Sequence, residues 1–301
     1  MDLLTRSDFD GLACATILRD IGVIGNLKFV HPKDLQAGLV KVTPNDILAN
    51  VPYVEGCGMW FDHHASEWER LGQPQGFVGS LRRLDSAAHV VYDYYKDRNN
   101  LCKFDEMLTA VDKVDAGKLT AEEILEPYGW ILLGFIMDPR TGLGRFREFR
   151  ISNYQLMEAL IEYCRTMRID EILEQPDVKE RVELYREQTE LFKKMLGEHT
   201  KVHGNAIVTD LRGVDTIYAG NRFIIYSLYP ECNISLWVVD GRNKQNVSIA
   251  VGYSILNRTS TADVGSTLLA YGGGGHKQVG TCQVPYDDCD RVLGELIGKL
   301  Q

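Results

Sequence analysis

Hydrophobic positions in the first third of the chain come in short runs separated by polar turns. Residues 3–5 and 27–31 read as short strands, as do Asp46–Ala49 and residues 59–61. Between the first two runs, Leu12, Ala15, Ile17 and Leu18 recur at helical spacing and predict a helix over 12–21; residues 86–95 and 104–111 predict two more. From 152 to 199 the pattern turns helical and charge-rich. Leu156, Leu160 and Tyr163 make one stripe, and Val182, Tyr185, Thr189 and Phe192 another. Pro176 divides this stretch into at least two helices, and 178–197 reads as an exposed connecting helix. Strand-like runs follow at 206–211, 222–228, 234–239 and 247–251, then helices at 263–271 and 288–300. The predicted architecture is α/β. An N-terminal domain (1–177) carries a mainly parallel sheet flanked by helices, a helical connector spans 178–203, and a smaller α+β domain occupies 204–301.

Composition narrows what such a chain can do. Its 301 residues suffice for two cores, and 33 basic against 42 acidic residues give a net charge of -9. That balance argues against a grip on long nucleic acid, which depends on neutralising many phosphates. A short anionic substrate in a local basic pocket remains compatible. Seven scattered cysteines without a Cys-x-x-Cys pair form neither a disulfide framework nor a structural zinc site, so a reducing cytoplasm is expected. No apolar run reaches the ~18 residues of a membrane span, and no membrane partner is expected.

The chemistry gathers at strand ends. Asp8 and Asp10 lie one residue apart where the first strand stops and a helix starts; in extended backbone both carboxylates face one side. N-capping is the alternative use of such a pair. Asp62-His63-His64 closes the 59–61 run, and three consecutive ligand-type residues cannot all serve a core or a cap, with a solvated polar turn as the alternative. Imidazole with carboxylate suits manganese, zinc, cobalt or iron. Such a site lowers the pKa of bound water and neutralises phosphoryl charge. Gly272-Gly273-Gly274-Gly275-His276 offers backbone N–H groups to an anion and a titratable donor beside them.

Taken in order, these motifs resemble the DHH phosphoesterase family, in the branch with a C-terminal Gly-Gly-Gly-His domain that includes RecJ-type exonucleases, oligoribonucleases and cyclic-dinucleotide phosphodiesterases. Asp8 and Asp10 match the first motif and Asp62, His63 and His64 the name motif. Ser86-Ala87-Ala88 matches a small-residue run, Val114-Asp115-Ala116-Gly117 the fourth motif, and Gly273, Gly274, Gly275 and His276 the last. The resemblance implies a Mn2+-type site of one or two ions. Asp10, His63 and Asp115 fall on ligands of one ion and Asp8 on a ligand of the other. Asp62 would orient the ligating histidine and His64 would face the substrate phosphate, while Asp112, one helical turn before Asp115, reads as a surface or supporting carboxylate. It further implies hydrolysis of short oligonucleotides or linear dinucleotides to mononucleotides, held across a cleft by the second domain, often in a homodimer.

The chain departs from the family pattern in three places. The histidine that relatives carry before the first aspartate is replaced by Leu4 or Arg6, and the bridging aspartate of the second motif by Asn50, with Asp46 as runner-up. Arg6 would then stand in for an ion and hold a phosphate oxygen, or else pair with Asp8; His31 and Asp34 are further ligand candidates. The arginine of a Ser-x-Arg-Ser strand is absent from Ser248-Ile249-Ala250-Val251, which leaves Arg258 as its substitute. Phosphoanhydride hydrolysis, as in exopolyphosphatases and pyrophosphatases, is the second reading. A non-catalytic nucleotide-binding protein with a decayed site is the third.

Overall fold

The computed structural model describes residues 1–72, 74 and 76–301. Packing divides the chain into two compact units, one of residues 1–118 and 127–184, the other of 119–126 and 185–301. Strands β1 (Asp2–Thr5), β2 (Asn26–Phe29), β3 (Asp46–Ala49), β4 (Met59–Asp62) and β5 (Gly79–Leu81) build an all-parallel sheet in the order β2-β1-β3-β4-β5. All four residues of β3 are buried, as are the last three of β4. Parallel strands covered on both faces explain why these runs are apolar rather than alternating. In this strand order the direction of winding reverses between β1 and β3, and ligands collect beyond the carboxyl ends of strands at such a point.

Helices α1 (Phe9–Asp20), α2 (Pro32–Gln36), α3 (Ala65–Leu71), α4 (Ala87–Tyr95) and α5 (Asp105–Asp115) flank this sheet. Residues 9–18 of α1 are all buried, because α4, α5 and the later helix α8 (Asn153–Thr166) pack around it. A helix apolar on every side belongs inside a core. Each of Leu12, Ile17 and Leu18 contributes about 1.5–3 kcal/mol by full burial, so α1 is anchored along its length.

The chain then runs through α6 (Ala121–Leu125), α7 (Gly129–Met137), α8 (Asn153–Thr166), α9 (Ile169–Leu173) and α10 (Pro176–His199). Pro176 opens α10 at its first turn, where a missing N–H costs nothing. The expectation of an exposed connecting helix is corrected: Val178, Arg181, Val182, Tyr185, Phe192 and Leu196 are buried. The apolar stripe read from the sequence is the buried face.

In the second unit, β6 (Thr200–His203), β7 (Ala206–Asp210), β8 (Ile234–Asp240), β9 (Val247–Tyr253), β10 (Gly274–His276) and β11 (Val279–Val284) make a mixed sheet, ordered β10-β11-β9-β8-β7-β6. Only β7–β8 is parallel. The inward residues Val247, Ile249 and Val251 of β9 and Cys282 and Val284 of β11 share a core with Leu268 of α12 (Val264–Leu269) and Leu296 of α13 (Tyr286–Leu300). The strand expected at 222–228 is instead a helix, α11 (Ile224–Leu228). The Asn221 side chain accepts from the Phe223 N–H at 2.9 Å and starts a turn there, while Tyr226 reaches Ser235 Oγ at 2.8 Å. Periodicity does not separate a short buried helix from a buried strand. None of the seven cysteines is disulfide-bonded. Among the described residues no helix is long and apolar enough to cross a membrane.

Candidate metal centre and the glycine-rich motif

Beyond β1 the backbone turns so tightly that a Cβ on Gly11 would lie 2.0 Å from the Arg6 carbonyl oxygen. The turn makes Asp8 the N-cap of α1, accepting from the Gly11 N–H at 3.0 Å, and puts Asp10 in the first helical turn. Asp10 therefore points from helical backbone, not from the extended pair expected. Its carboxylate is received by a second helix start. The Ala87 N–H donates to Oδ2 at 2.9 Å and the Ala88 N–H to Oδ1 at 2.7 Å, the anion-binding end of α4. Ser86 caps α4 through the His89 N–H and donates to Asp112 Oδ1 at 2.6 Å; His89 Nδ1 donates to Asp112 Oδ2 at 2.7 Å. Asp112 thus supports the helix end that holds Asp10.

His63 meets Asp10 and Asp115 through one atom. Its Nε2 lies 3.8 Å from Asp10 Oδ2 and 3.3 Å from Asp115 Oδ2, and the three donors fall within 4.8 Å of one another. The other ring nitrogen, Nδ1, sits 3.1 Å from the Leu84 carbonyl oxygen. Donation to that carbonyl fixes the tautomer and leaves the Nε2 lone pair facing the two carboxylates.

The expectation that Asp62 orients this ring is corrected. Asp62 Oδ1 accepts from the His63 backbone N–H at 2.8 Å and from His64 Nδ1 at 2.7 Å, so the imidazole it holds is that of His64. Asp62, His63 and His64 also form a ligand-type cluster. Burial works against the His64 charge, but the Asp62 hydrogen bond and the fields of Asp62, Asp115 and Asp10 outweigh it and lift its pKa to about 9.

Unsatisfied groups converge here. His63 Nε2, Asp62 Oδ2 and Asn50 Oδ1 are buried without a hydrogen bond among the described residues. Burial, together with the charges of Asp115 and Asp8, pushes Asp10 well above the ordinary carboxylate range despite its two N–H donors. Asp115 is also raised, first by burial. Crowded carboxylates and an orphaned imidazole nitrogen are stabilised together by a divalent cation, and the nitrogen–oxygen donor set fits one.

Asp8 is placed differently. Its Oδ2 pairs with Arg6 Nε at 3.1 Å, and its Oδ1 accepts from Asn50 Nδ2 at 2.9 Å as well as from Gly11. Asn50, at φ 58°, bridges the ends of β3 and β1 by donating from Nδ2 to Asp8, which leaves its Oδ1, the atom that could ligate an ion, without a hydrogen bond. The ion pair weighed against the ion-replacement role of Arg6 is thus formed. Asp46 bonds the Thr43 N–H at 2.7 Å at the opposite end of β3, and His31 Nδ1 caps α2 through the Lys33 N–H; neither joins the cluster.

One residue near the centre escaped the sequence reading. Arg140 follows α7, and its charge is felt by Asp115 and feels Asp8 and Asp115. Only its position in an Asp-x-Arg turn, Asp138-Pro139-Arg140, signalled a locally braced guanidinium.

The glycine-rich motif has another character. β10 lies in register with β11, pairing Gly274 with Thr281, Gly275 with Gly280 and His276 with Val279. A Cβ on Gly273 would lie 2.5 Å from the Thr281 carbonyl oxygen and from Cys282 Cβ, and one on Gly275 2.2 Å from the Val279 oxygen. The Gly273 N–H already donates to Leu268 O at 3.0 Å. Gly273 and Gly275 allow close packing of strand on strand, whereas Gly272 and Gly274 have open space where a side chain would be, Gly272 at a positive φ of 71° that favours glycine. His276 is exposed. The Tyr253 N–H bonds Gln278 O, so the loop that leaves β9 toward Arg258 starts at the same sheet end as the His276 turn. Arg258 Nε donates to Ile255 O at 3.0 Å within that loop.

Among solved structures, a pGpG-specific phosphodiesterase, PggH from Vibrio cholerae, is similar at 48% identity and a TM-score of 0.89, over 99% of this chain and 98% of that one. RecJ from Thermus thermophilus, in complex with Mn2+, is 14% identical at a TM-score of 0.52, over 99% of this chain and 51% of that one. An exopolyphosphatase-related protein from Bacteroides fragilis is 12% identical at 0.50, over 99% and 91%. The last two show likeness of fold. No protein-family model and no curated protein matches the chain.

Proposed function

Since the chain belongs to the DHH phosphoesterase family, we propose that it is a metal-dependent phosphodiesterase that hydrolyses linear dinucleotides to mononucleotides, with pGpG its first substrate to test. The observation that carries this reading within the site is the meeting of Asp10, His63 and Asp115 around the orphaned His63 Nε2. Those three residues would hold one ion, for which manganese suits the donors. When bound, such an ion supplies Lewis-acid charge at the phosphoryl group and lowers the pKa of water.

The chain's own groups do the rest. Asp10 is fixed by the α4 N–H groups and His63 by the Leu84 carbonyl, so neither must reorganise during reaction. His64, kept protonated by Asp62, presents its Nε2–H to a phosphate oxygen and has a proton to give the leaving alkoxide. Arg6 braces Asp8 through Nε and offers its remaining N–H groups to the substrate. With both Asp8 oxygens engaged, a second ion finds few donors, and one tightly bound ion per chain is expected. Gly274, His276 and Arg258 would contact the rest of the nucleotide, with 1–177 the catalytic domain, 178–203 the connector and 204–301 the substrate-binding domain. The absence of a membrane-spanning helix among the described residues suits a cytoplasmic enzyme.

Purified protein with Mn2+ should convert pGpG to GMP and leave polyphosphate intact, followed by chromatography of the products. Turnover of polyphosphate without GMP release would sink the dinucleotide reading. Metal analysis after desalting should give one ion per chain.

A further inference from the structure

Helix α7 ends beside the candidate centre. At Gly134, where a Cβ would lie 2.7 Å from the Phe9 ring and 3.3 Å from Val114, the helix packs on the residues next to Asp8, Asp10 and Asp115. The chain leaving α7 therefore passes the rim of the carboxylate cluster. It is braced there: Thr141 Oγ1 donates to Phe135 O at 2.7 Å, and Asp138 Oδ1 accepts from the Arg140 N–H at 2.8 Å.

Arg140 is held by one edge only. Its Nε donates to Asp138 Oδ1 at 2.7 Å and Oδ2 at 3.1 Å, while its two terminal nitrogens have no hydrogen bond among the described residues. The side chain is 52% exposed against 10% for Asp138, so the carboxylate is the buried anchor and the guanidinium the free end. Burial disfavours its charge, but Asp138, Asp8 and Asp115 more than compensate, so Arg140 stays a cation beside acidic residues it does not neutralise by contact. A guanidinium anchored through Nε keeps its other edge for bidentate binding of a tetrahedral oxyanion.

We propose that Arg140 is a substrate-binding residue whose free edge grips the scissile phosphodiester of the dinucleotide beside Asp8 and Asp115. The proposal deepens the phosphodiesterase reading and rests on it. The scissile group is assigned, not the terminal phosphate, because the acidic neighbours of Arg140 are the residues expected to surround the reacting phosphorus.

The test compares wild type, R140A and R140K, with pGpG and with GpG, which lacks the 5′-phosphate. Binding is read by calorimetry in chelator, KM and kcat with Mn2+, and bound metal by elemental analysis. R140A should weaken binding of both ligands and raise both KM values on the order of 10–100-fold, the scale of a lost charge-assisted pair. Metal content should stay unchanged, and R140K should recover only part of the loss because an ammonium lacks the fork. R140A binding within twofold of wild type, in an enzyme that cleaves pGpG, would overturn the Arg140 assignment alone. A loss confined to pGpG would move the grip to the 5′-phosphate, and a loss of metal would make the residue a support of the ion; either outcome overturns the proposal. Wild type that neither binds nor cleaves pGpG overturns the phosphodiesterase reading and this proposal together.

Discussion

The carboxylate–imidazole cluster of the first unit and the glycine-rich turn of the second both stood out as short motifs, yet the structure treats them in opposite ways. Around His63, polar groups are buried without partners, and burial with neighbouring carboxylates raises the Asp10 pKa well above the ordinary range. Around Gly273 and Gly275 the N–H groups and close contacts are largely accounted for by strand and helix packing. Energetic incompleteness is informative because folding alone does not select for it: an orphaned buried nitrogen and repelling charges persist where something else stabilises them. Satisfied glycines carry no such message, except at Gly274.

The largest effect that tests this contrast is loss of a ligand. Asp10→Ala or His63→Ala should lower hydrolysis by more than the roughly 10²–10³-fold that removal of one electrostatic donor costs, measured at saturating Mn2+. Unchanged turnover in either variant removes the centre from the mechanism.

Stability should respond next, with a defined sign. Asp10 and Asp115 have folded pKa values above their unfolded ones, so in metal-free protein their contribution is least unfavourable at low pH and becomes destabilising as pH rises past the unfolded carboxylate range. Mn2+ at 100-fold over its Kd should add about 2.7 kcal/mol, seen as a rise in Tm. Asp115→Asn should stabilise the metal-free protein at neutral pH and abolish most of that response; a destabilised metal-free variant contradicts the repulsion argument.

Asp62→Asn should cost roughly 10–100-fold in activity, the usual scale for a residue that orients site groups. His64 provides a sharper readout. Its raised pKa means that its pairing stabilises the fold fully below the unfolded value near 6.5 and that this contribution fades as pH rises through about 9. NMR titration of metal-free protein should place the His64 midpoint near that value, and lower in Asp62→Asn; equal midpoints in the two proteins would remove Asp62 as the cause.

The smallest effects discriminate within the glycine turn. Gly273→Ala should destabilise the second unit by about 1–3 kcal/mol through overpacking against Cys282 and Thr281, read from Tm. Gly274→Ala should leave Tm unchanged and raise KM modestly if its open backbone face meets the nucleotide. Equal Tm losses in both variants would make the whole motif a packing device.

Much was legible before folding. Ligand-type residues at the ends of short apolar runs could be read because parallel strands are buried on both faces and deliver their ends to one edge of the sheet. The alternative uses were harder to decide: Asp8 is an N-cap, an acceptor for Asn50 and a partner of Arg6 at once, and no spacing rule ranks those roles. The 222–228 run misled because Phe223, Ile224, Ile225 and Tyr226 form a short buried apolar run, a pattern that a helix and a strand share.

The sequence by itself determined the chemistry available: which carboxylates, imidazoles and guanidinia exist, and which close strands or open helices, since these are properties of residue type and local backbone preference. Only the tertiary structure decided which of them face one another. The Leu84 carbonyl behind His63, the α4 N–H groups beneath Asp10 and the guanidinium of Arg140 beside Asp115 come from positions 21, 77 and 25 residues away in the chain. Contacts of that separation are set by how helices pack on a sheet, and local preferences carry no record of them.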